Sequence, residues 1–592
     1  MTEAATSKIC PVRGCDCSEL SDEGFHNHKQ KCFIDALAHP TIEESENTRE
    51  NSRVDEAEDE WASKDRYEDY GDIRKARVAI ETYLSLSSME ISSRDRYQQV
   101  SLIGYRNLLA TGKFYFDPLR RERYWFDSES KILFKILSDD FKAHLSIRLE
   151  ISREDPGFKH LVSAIVDRCF KYAERVEPRR YSFFDNEKKV LFYNHKPGRM
   201  LVLDGKIIRE TDNGNGALFL WDEKWDPVEP VYGKEGLLRA DVTSKISLDD
   251  SESQVSLDEA ETLVECWLLA GLFRNILPER PIFALVGEQG SGKTLEGELC
   301  GRVLFGAKFS VLGFEDAKED GAIAYLVAKT LGVFDNADQP IRWLPDLLAR
   351  SATGMSIPRR ILYTTNDLAE YLVDVFLVIT ARQTPWARLD VIDRLILLRT
   401  KRPSTFFDKQ RLFQQVSEDR ATIVGELLTR ANRAVRRLQE GTILADSPYR
   451  LAAFYKFALS TADEKDRPVL KDGFEKIIRV QEALHAEEEE SLLTLLSDWL
   501  KKLDDEDRNK DETFMEKGDW TRELRVSEIY SRLAAKAKIE GFKFTVKNPL
   551  SLGHKLGQLR ATFRTSGILF VKDHDSKGNF WRFGLPGEKD AG

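Results

Sequence analysis

The chain has 592 residues, of which 41% are hydrophobic and 32% are charged, and its formal net charge is −11. This length predicts three or four domains with sizeable cores, and no apolar run is long enough to cross a bilayer. The N-terminus lacks the apolar stretch of a signal peptide, and seven cysteines, four of them before residue 33, do not form a disulfide framework. We therefore expect a cytoplasmic protein with no membrane partner.

The first candidate site lies in residues 10–32, which hold six possible metal ligands. Cys17 and His26 compete with the other four, so alternative ligand sets stay open. A segment this short (domain 1–39) buries little apolar surface, so bound Zn²⁺ would supply its folding free energy. The other interpretation is a tail with reduced cysteines. The set that has the spacing of a small zinc finger is Cys10, Cys15, His28 and Cys32.

The negative charge is unevenly distributed. Residues 40–72 contain 13 acidic and 4 basic side chains, whereas residues 520–592 contain 14 basic and 7 acidic ones. We assign residues 40–93 to an acidic linker. Because local charge governs attraction to a polyanion, the negative total does not exclude a DNA partner.

Residues 94–242 alternate clusters of β-forming residues with turn residues, a pattern typical of strand pairs. The clearest cases are KFYFDPLRRERYWFD and YSFFDNEKKVLFYNH, with helices predicted between them. The pattern predicts an α+β domain. It contains no paired acidic motif to which catalysis can be assigned, and its aromatic residues are predicted to form core.

The most specific motif follows a run of apolar residues, Ile282 to Val286, that predicts a buried strand. The next eight residues fit G-x-x-x-x-G-K-[ST] at every position, and a chance match in a loop is the alternative. Backbone N–H groups of such a loop surround a phosphate, Lys293 would reach the β- and γ-phosphates, and Thr294 would hold Mg²⁺. The predicted ATP-binding residues are Gly287, Glu288, Gln289, Gly290, Ser291, Gly292, Lys293 and Thr294.

A second motif follows a predicted strand over residues 329–334. Asp335 at the strand end can complete the Mg²⁺ shell through water. Asn336 stands where many ATPases have a glutamate that activates the attacking water. Because an amide is not a general base, either Asp338 or another carboxylate does that work, or hydrolysis is slow.

Three further segments belong to the same domain. Residues 359–371 predict a β-hairpin, and the next strand ends at Thr380, whose polar side chain is expected to face the γ-phosphate. Arg394 precedes one more strand, where an arginine can project into the nucleotide of a neighbouring subunit. A surface salt bridge is the alternative for Arg394, and Arg388 is the second candidate for the same role.

A helix over Ser417–Leu438, with Ser417 as its N-cap, and a second apolar helix complete a helical lid. The nucleotide domain is therefore predicted to span residues 243–463. Residues 464–519 are predicted to be a helical, charged linker.

Residues 520–592 predict two helices followed by a strand, a turn and a strand. This order and the positive charge indicate a winged-helix DNA-binding domain, although winged helices also mediate protein contacts. The candidate DNA-binding residues of this region are Lys555, Arg560, Lys572, Lys577 and Arg582.

The order of these motifs resembles the phage- and plasmid-borne ATPases of superfamily 3, of the poxvirus-type primase-helicase kind. The likeness runs from about Phe114 to Lys589, and its most specific piece is VFDNADQPIRWLPDLLARSATG; ILYTTND, VIT and LDVIDR follow in the family's order. The resemblance implies a central AAA+ domain in a multidomain α/β chain. It also implies a homo-oligomeric ring, usually a hexamer, that moves on single-stranded DNA during replication of a mobile element.

By the same resemblance, Lys293 and Thr294 are Walker A residues, Asp335 is Walker B, Thr380 is sensor 1 and Arg394 is the arginine finger. The hairpin that contains Arg359 and Arg360 would grip DNA inside the ring. The chain departs from the family pattern, because sensor 1 is commonly asparagine. It also has no recognisable primase core, so a separate primase or replication protein is the expected partner.

The leading hypothesis is an ATP-dependent DNA helicase or translocase with the catalytic residues Lys293, Asp335, Asn336, Thr380 and Arg394. One alternative is an AAA+ switch in defence or regulation that binds ATP and DNA without unwinding. Another is a DNA-binding initiator in which nucleotide only assembles the ring.

The zinc assignment is tested by metal analysis of a fragment that covers residues 1–40. We expect one equivalent of Zn²⁺ per fragment, because the tetrahedral ligand set replaces a core that the segment lacks. Substitution of Cys32 by serine should abolish retention of the metal. A fragment that carries no zinc after purification in metal-containing buffer would contradict the assignment.

Overall fold

The protein is described by a computed structural model that covers residues 70–585 with short gaps. Residues 70–592 form one compact unit, and the N-terminal unit, 1–69, lies outside the described residues together with the predicted zinc ligands. The internal gaps are residues 87, 90, 250–254, 315–317, 355, 361–367, 385–387, 406, 442–445, 504–505, 509–519, 541–543, 545, 547, 560–561, 564–565 and 576–577.

The first part of the described chain combines helices with two four-stranded sheets. Its helices are α1 (Ile73–Ser85), α2 (Ser93–Thr111), α3 (Asp139–Leu149) and α4 (Pro156–Tyr172). The first sheet has the order β3-β2-β1-β4 and contains β1 (Gly112–Asp117), β2 (Glu122–Asp127), β3 (Leu133–Lys135) and β4 (Glu174–Arg175). The second sheet is an antiparallel meander of β5 (Ser182–Asp185), β6 (Val190–Lys196), β7 (Arg199–Leu203) and β8 (Ile208–Asp212).

Helix α1 lies within the stretch that the sequence assigned to the acidic linker, residues 40–93. Asp72 caps this helix by accepting the N–H of Arg74 at 2.9 Å. Ala76 and Ile80 are buried in the same apolar cluster as Trp125. Packed structure therefore begins before residue 94, because the helix buries an apolar face that composition alone did not reveal.

The second sheet shares a core with the predicted nucleotide domain. Tyr181 and Leu203 belong to the same buried cluster as Phe273 and Leu427. The guanidinium of Arg420 also donates to the carbonyls of Val303 and Leu304 at 3.0 and 3.2 Å, and to that of Pro227 at 3.1 Å. The core is thus continuous across the predicted boundary at residue 242.

The central domain is built on a five-stranded parallel sheet, which confirms the predicted α/β class. Its helices are α5 (Leu237–Asp241), α6 (Leu257–Leu272), α7 (Lys293–Phe305), α8 (Glu319–Ala328), α9 (Leu344–Ala352) and α10 (Leu389–Ile392), with 3-10 turns at Thr243–Lys245 and Arg274–Ile276. Its strands are β9 (Ile282–Gly287), β10 (Leu312–Gly313), β11 (Leu331–Asp335), β14 (Phe376–Ala381) and β15 (Leu395–Thr400), and the antiparallel pair β12 (Ser356–Arg360) and β13 (Leu368–Leu372) precedes β14.

The sheet has the order β10-β11-β14-β9-β15, so β14 separates the strands that end at Gly287 and Asp335. The register pairs Thr380 with Leu285 on one side of β9, and Thr400 with Gly287 on the other. Because all these strands are parallel, their carboxyl ends meet at one edge, which is where ligands bind in open α/β sheets.

Three long helices follow: α11 (Lys409–Glu440), α12 (Ala452–Thr461) and α13 (Asp466–Lys501). The prediction that Ser417 is an N-cap is wrong. Asp408 caps α11 by accepting the N–H of Gln410 at 3.0 Å, whereas the Ser417 hydroxyl donates to the Phe413 carbonyl inside the helix. The apolar pattern before residue 417 is weak, and the aspartate cap is the stronger local signal.

Helix α13 occupies much of the predicted charged linker, 464–519. Phe474 and Ile477 are buried in the central core, whereas Leu496 and Trp499 are buried in the C-terminal core. The helix therefore connects two cores and is packed into both.

The C-terminal part contains β16 (Leu524–Arg525), α14 (Val526–Glu540), α15 (Pro549–Gln558), β17 (Leu569–Asp575) and β18 (Gly578–Gly584). The last two strands pair antiparallel in a sheet of order β16-β18-β17. Two helices and a hairpin thus occur in the predicted order, and the winged-helix assignment stays a prediction. Within the described ranges, no helix is both long and apolar enough to span a membrane.

Candidate nucleotide site

The glycine-rich loop joins β9 to α7 with the backbone that a phosphate cradle requires. Gly290 and Gly292 both have φ of +85°, a conformation that favours glycine. Gly292 is the N-cap of α7 and offers no side-chain cap, so the first N–H groups of the helix are available to an anion. At Gly287 a Cβ would lie 1.9 Å from the Thr400 carbonyl oxygen, so only glycine fits.

Lys293 is 8% exposed and lies beneath this loop. Its ammonium donates to the carbonyls of Gly287 and Glu288 at 2.8 and 2.7 Å, and to the Ser291 hydroxyl at 3.3 Å. Burial lowers the pKa of Lys293, and the negative charges of Asp338 and Asp335 partly oppose that effect. The ammonium is therefore held at the loop, with two carboxylates near enough to act on its charge.

Asp335 is the point where three segments converge. Its Oδ1 accepts the Thr294 hydroxyl at 2.5 Å and the Thr380 hydroxyl at 2.7 Å. Thr380 is fully buried, and its oxygen also accepts the N–H of Asn336 at 3.1 Å. A carboxylate and a hydroxyl oxygen at a phosphate loop are donors that Mg²⁺ prefers, so Thr294 and Asp335 fit the predicted metal.

The Thr380 hydroxyl is hydrogen-bonded within the chain, and its contact with the γ-phosphate stays a prediction. Its proton is donated to Asp335, and its oxygen holds the backbone at Asn336. Thr380 therefore positions the acidic strand end. Sequence could not reveal this, because the placement of β14 beside β11 follows from the sheet order.

Asn336 adopts the left-handed conformation, with φ of +58°, which asparagine tolerates better than most residues. This turn directs the chain so that Asp338 lies beside the end of β14. One oxygen of Asp338 accepts the N–H of Arg382 at 2.6 Å, and the other lies 3.3 Å from the Arg382 Nε. Asp338 is thus a fixed carboxylate near Lys293, and Arg382 is a site residue that the sequence prediction missed.

Thr400 was also missed. Its hydroxyl lies 2.7 Å from the Ser291 Oγ, and both groups are buried. This contact joins the phosphate loop to the end of β15. A polar residue that ends an apolar strand is the signal that could have identified it, as it identified Thr380.

The structure places Arg394 away from these residues. The N–H of Ile282, at the start of β9, donates to the Arg394 carbonyl at 2.9 Å, so Arg394 lies at the amino edge of the sheet. Its guanidinium donates to the Asp390 carbonyl within its own segment. Arg388 is paired with Asp346 at 2.6 Å. Neither arginine reaches Lys293 within one chain, because the six residues of β9 separate the two edges by roughly 20 Å.

The predicted DNA-contacting residues are distributed over two regions. The backbones of Arg359 and Arg360 form β12 and pair with β13. Lys572 is exposed on β17 with its ammonium 5.3 Å from the centre of the Trp581 ring, whereas Arg582 is bonded to Glu523. Lys555 is half-buried on α15, and Arg560 and Lys577 lie outside the described residues.

Within the described ranges, one further group of side chains is close enough together to hold a metal ion: His195, Glu210 and Glu229. The Lys196 ammonium is bonded to both carboxylates, at 2.8 Å from Glu210. It already compensates their charge, so we assign no metal there.

Comparison with known proteins gives a family match within this domain. Residues 252–463, a little over a third of the chain, match a family model described as "Actinomycete integrative conjugative element replication protein". The match contains the phosphate loop, Asp335, Thr380 and Arg394. No curated protein sequence matches the chain.

Among solved structures, the apo C-terminal region of NrS-1 is 11% identical, covering 82% of this chain and 99% of that one with a TM-score of 0.36. A JCV helicase structure is 10% identical, covering 43% and 62% with a TM-score of 0.20. The Orc1 protein of Aeropyrum pernix in complex with DNA is 14% identical, covering 54% and 89% with a TM-score of 0.13. At these TM-scores the superpositions do not define a shared fold.

A buried acid lies one turn beyond Lys293 on α7. Glu296 is 1% exposed, and burial together with the charge of Glu261 raises its pKa to about 8. The folded state therefore holds a proton on Glu296 that the unfolded chain releases near pH 4.5. Stability from this group is present at low pH and is lost as pH rises towards 8.

Substitution of Glu296 by glutamine should remove this pH dependence, because glutamine resembles the protonated acid. We expect the variant to gain about 1–3 kcal/mol relative to wild type when pH rises from 5 to 8. Urea unfolding at several pH values measures the difference. Glu298→Gln, on the same helix, serves as the control. Parallel pH profiles for wild type and the Glu296 variant would contradict the buried, protonated state.

Proposed function

We propose that this chain is an ATP-hydrolysing AAA+ protein that assembles into a ring and moves single-stranded DNA during replication of a mobile element. The observation that carries the proposal is the convergence of Lys293, Thr294 and Asp335 at the carboxyl edge of the parallel sheet. This edge lies within the segment that is similar to a replication protein family. The C-terminal helices and hairpin, with their positive charge, are the proposed winged-helix contact to DNA.

In this proposal the loop N–H groups and Lys293 bind the β- and γ-phosphates, and Thr294 and Asp335 hold Mg²⁺. Thr380 fixes Asp335 and the backbone of Asn336. The chemistry is attack of water on the γ-phosphate, and Lys293 stabilises the charge that develops on the phosphoryl oxygens; a magnesium ion held by Thr294 and Asp335 would supply further positive charge there. We propose that the carboxylate of Asp338 orients that water and accepts its proton, because the amide of Asn336 is not a general base.

The position of Arg394 supports an oligomer. It lies at the edge of the sheet opposite to Lys293, so it can serve as an arginine finger only in the nucleotide site of a neighbouring subunit. Its contact with the Asp390 carbonyl would have to break in that assembly. A closed ring, such as the hexamer that is usual in the family the sequence resembles, supplies such a neighbour for every site.

A second function, an ATP-dependent switch that binds DNA without moving it, is favoured by one observation. Asn336 follows Asp335 directly and leaves the usual position of the water-activating group without a carboxylate. If the ion pair between Asp338 and Arg382 stays intact when nucleotide is bound, ATP turnover would be slow. Bound ATP would then act as a signal.

ATP turnover with and without single-stranded DNA distinguishes the two functions. For a translocase we expect DNA to stimulate turnover several-fold, and Lys293→Ala to abolish it in both conditions. Arg394→Ala should keep ATP binding and lose turnover by about 10³-fold. The matched control is Arg436→Ala, an exposed arginine on α11 outside the nucleotide site. Turnover that is indifferent to DNA would favour the switch, and unchanged turnover in Arg394→Ala would remove the finger assignment.

The role of Asp338 is tested by two variants of the same ion pair. Asp338→Asn should bind ATP with unchanged affinity and lose turnover by about 10²-fold or more, because the general base is removed. Arg382→Gln breaks the ion pair but keeps the carboxylate of Asp338, so ATP turnover should fall less than in Asp338→Asn. Single-turnover rates and nucleotide affinities provide the measurement. Equal decreases in both variants would mean that the pair has a structural role only.

A further inference from the structure

A cavity of about 270 Å³ lies at the amino edge of the central sheet, on the side away from Lys293. Its walls come from the β1–β2 turn, the segment after β4, the 3-10 turn after α6, and the residues just before β9, β11 and β14. Its volume is several times the volume that one water molecule takes up in liquid water, so it has room for a phosphate group and its hydrating water.

The cavity is strongly basic. Two carboxylates, Glu177 and Asp374, face six basic side chains. Burial lowers the pKa of Arg180 and the charge of Arg120 lowers it further, whereas the charge of Glu122 partly opposes these effects. Arg120 is paired with the buried Asp117 at 2.9 Å and Arg179 with Glu177 at 3.0 Å, whereas Arg274 and Arg280 share the single carboxylate of Asp374, so an excess of positive charge remains. The six basic residues are Arg120, Arg179, Arg180, Arg274, Arg280 and Lys329.

Two of these arginines have buried donors that nothing in the described chain satisfies. Arg274 and Arg280 are 5% and 6% exposed. The Nε of Arg274 donates to Asp374 Oδ2 at 2.7 Å, whereas the Nη2 of Arg280 lies 2.7 Å from Asp374 Oδ1 and donates to the Arg274 carbonyl at 3.3 Å, so that Oδ1 accepts no hydrogen bond. The Nη1 of Arg274 and both the Nε and the Nη1 of Arg280 have no hydrogen-bond partner. Buried charged donors are costly when unpaired, so these groups indicate an anionic ligand with several acceptor oxygens.

The cavity is joined directly to the β12–β13 hairpin. Asp374 follows the end of β13 by two residues, and the N–H of Glu370 on β13 donates to the Leu119 carbonyl at 3.1 Å, next to Arg120. Gly354, at the start of the hairpin, has φ of +65°, and a Cβ there would lie 3.0 Å from the Nη1 of Arg280. A ligand in the cavity would therefore contact residues that anchor the hairpin.

We propose that this cavity is a second phosphate site, separate from the nucleotide site, that binds a phosphate group of a single-stranded nucleic-acid backbone as the strand passes the base of the hairpin. The proposal rests on the proposed function for its ligand, since a free nucleotide or inorganic phosphate offers the same chemistry. Arginine forks match phosphate oxygens two at a time, and a backbone contact carries no base preference.

A structural role for the Arg274–Asp374–Arg280 cluster explains only part of the arrangement. One carboxylate joins two guanidinium groups and so stabilises the junction between α6, β9 and β14. It does not account for the three remaining donors, or for the two further basic residues of the lining, Arg179 and Lys329. These two residues can be changed without opening the buried cluster.

The test measures binding of a labelled oligothymidylate of about 20 nucleotides to the full chain across a series of salt concentrations. At about 0.1 M salt, each phosphate that the double variant Arg179→Gln/Lys329→Gln no longer holds should weaken binding roughly fivefold to tenfold and reduce the salt slope by about one. Lys206→Gln, an exposed lysine on the β7–β8 turn, is the control and should match wild type. ATP turnover without DNA should be unchanged in both proteins.

Arg280→Gln provides a second variant, with urea unfolding to verify that it folds, and should weaken binding at least as much. Titration of inorganic phosphate in the presence of saturating ATP analogue supplies the other arm. If the folded double variant binds both the oligonucleotide and inorganic phosphate with the affinity of wild type, and the salt slope is also unchanged, the cavity proposal is overturned and the proposed function still stands. Weakened phosphate binding with unchanged oligonucleotide binding would overturn the nucleic-acid assignment. A wild-type chain that binds no oligonucleotide at low salt would overturn both proposals.

Discussion

The carboxylate of Asp335 is the group on which the arrangement of the central domain depends. It accepts one hydroxyl from the start of α7 and one from the end of β14, so the phosphate loop, the acidic strand end and the intervening strand are held together at one oxygen. Thr380 then extends the network to the backbone of Asn336. A single acceptor therefore joins three segments that are far apart in sequence.

The two edges of the sheet differ in character. The carboxyl edge holds the phosphate loop with an acidic strand end, whereas the amino edge holds Arg394 and the basic cavity. Buried apolar strands connect the two edges, and the hairpin leaves the sheet from the amino edge just before β14. Strand β14 joins the two edges directly, since Thr380 lies near one end of that strand and Asp374 precedes the other.

Much of the central domain was predictable from the sequence, because its signals are local. The apolar run before Gly287 and the glycine spacing predicted the loop, and the apolar run before Asp335 predicted the second strand end. Ser291 with Thr400, and Asp338 with Arg382, could not be paired from the sequence because these contacts depend on sheet order. The basic cavity was missed for the same reason, since its arginines come from segments that lie far apart in the chain.

The buried faces of two segments were missed for a different reason, and the predicted domain boundaries stay predictions. Composition assigned residues 73–85 and much of 464–519 to linkers, because charged residues are abundant in both. Each contains a helix whose apolar residues recur at helical spacing and are buried, as Ile80 and Phe474 illustrate. Charge content describes the exposed face of such a helix and gives no information on the opposite face.

The central claim, that Thr294 and Asp335 form a metal-assisted nucleotide site, is tested most directly by titration of a non-hydrolysable ATP analogue with and without Mg²⁺. Wild type should bind the analogue much more tightly with Mg²⁺ than without it, and Asp335→Asn should lose that difference while keeping the metal-independent affinity supplied by the loop and Lys293. An affinity that is the same in all four measurements would contradict the account.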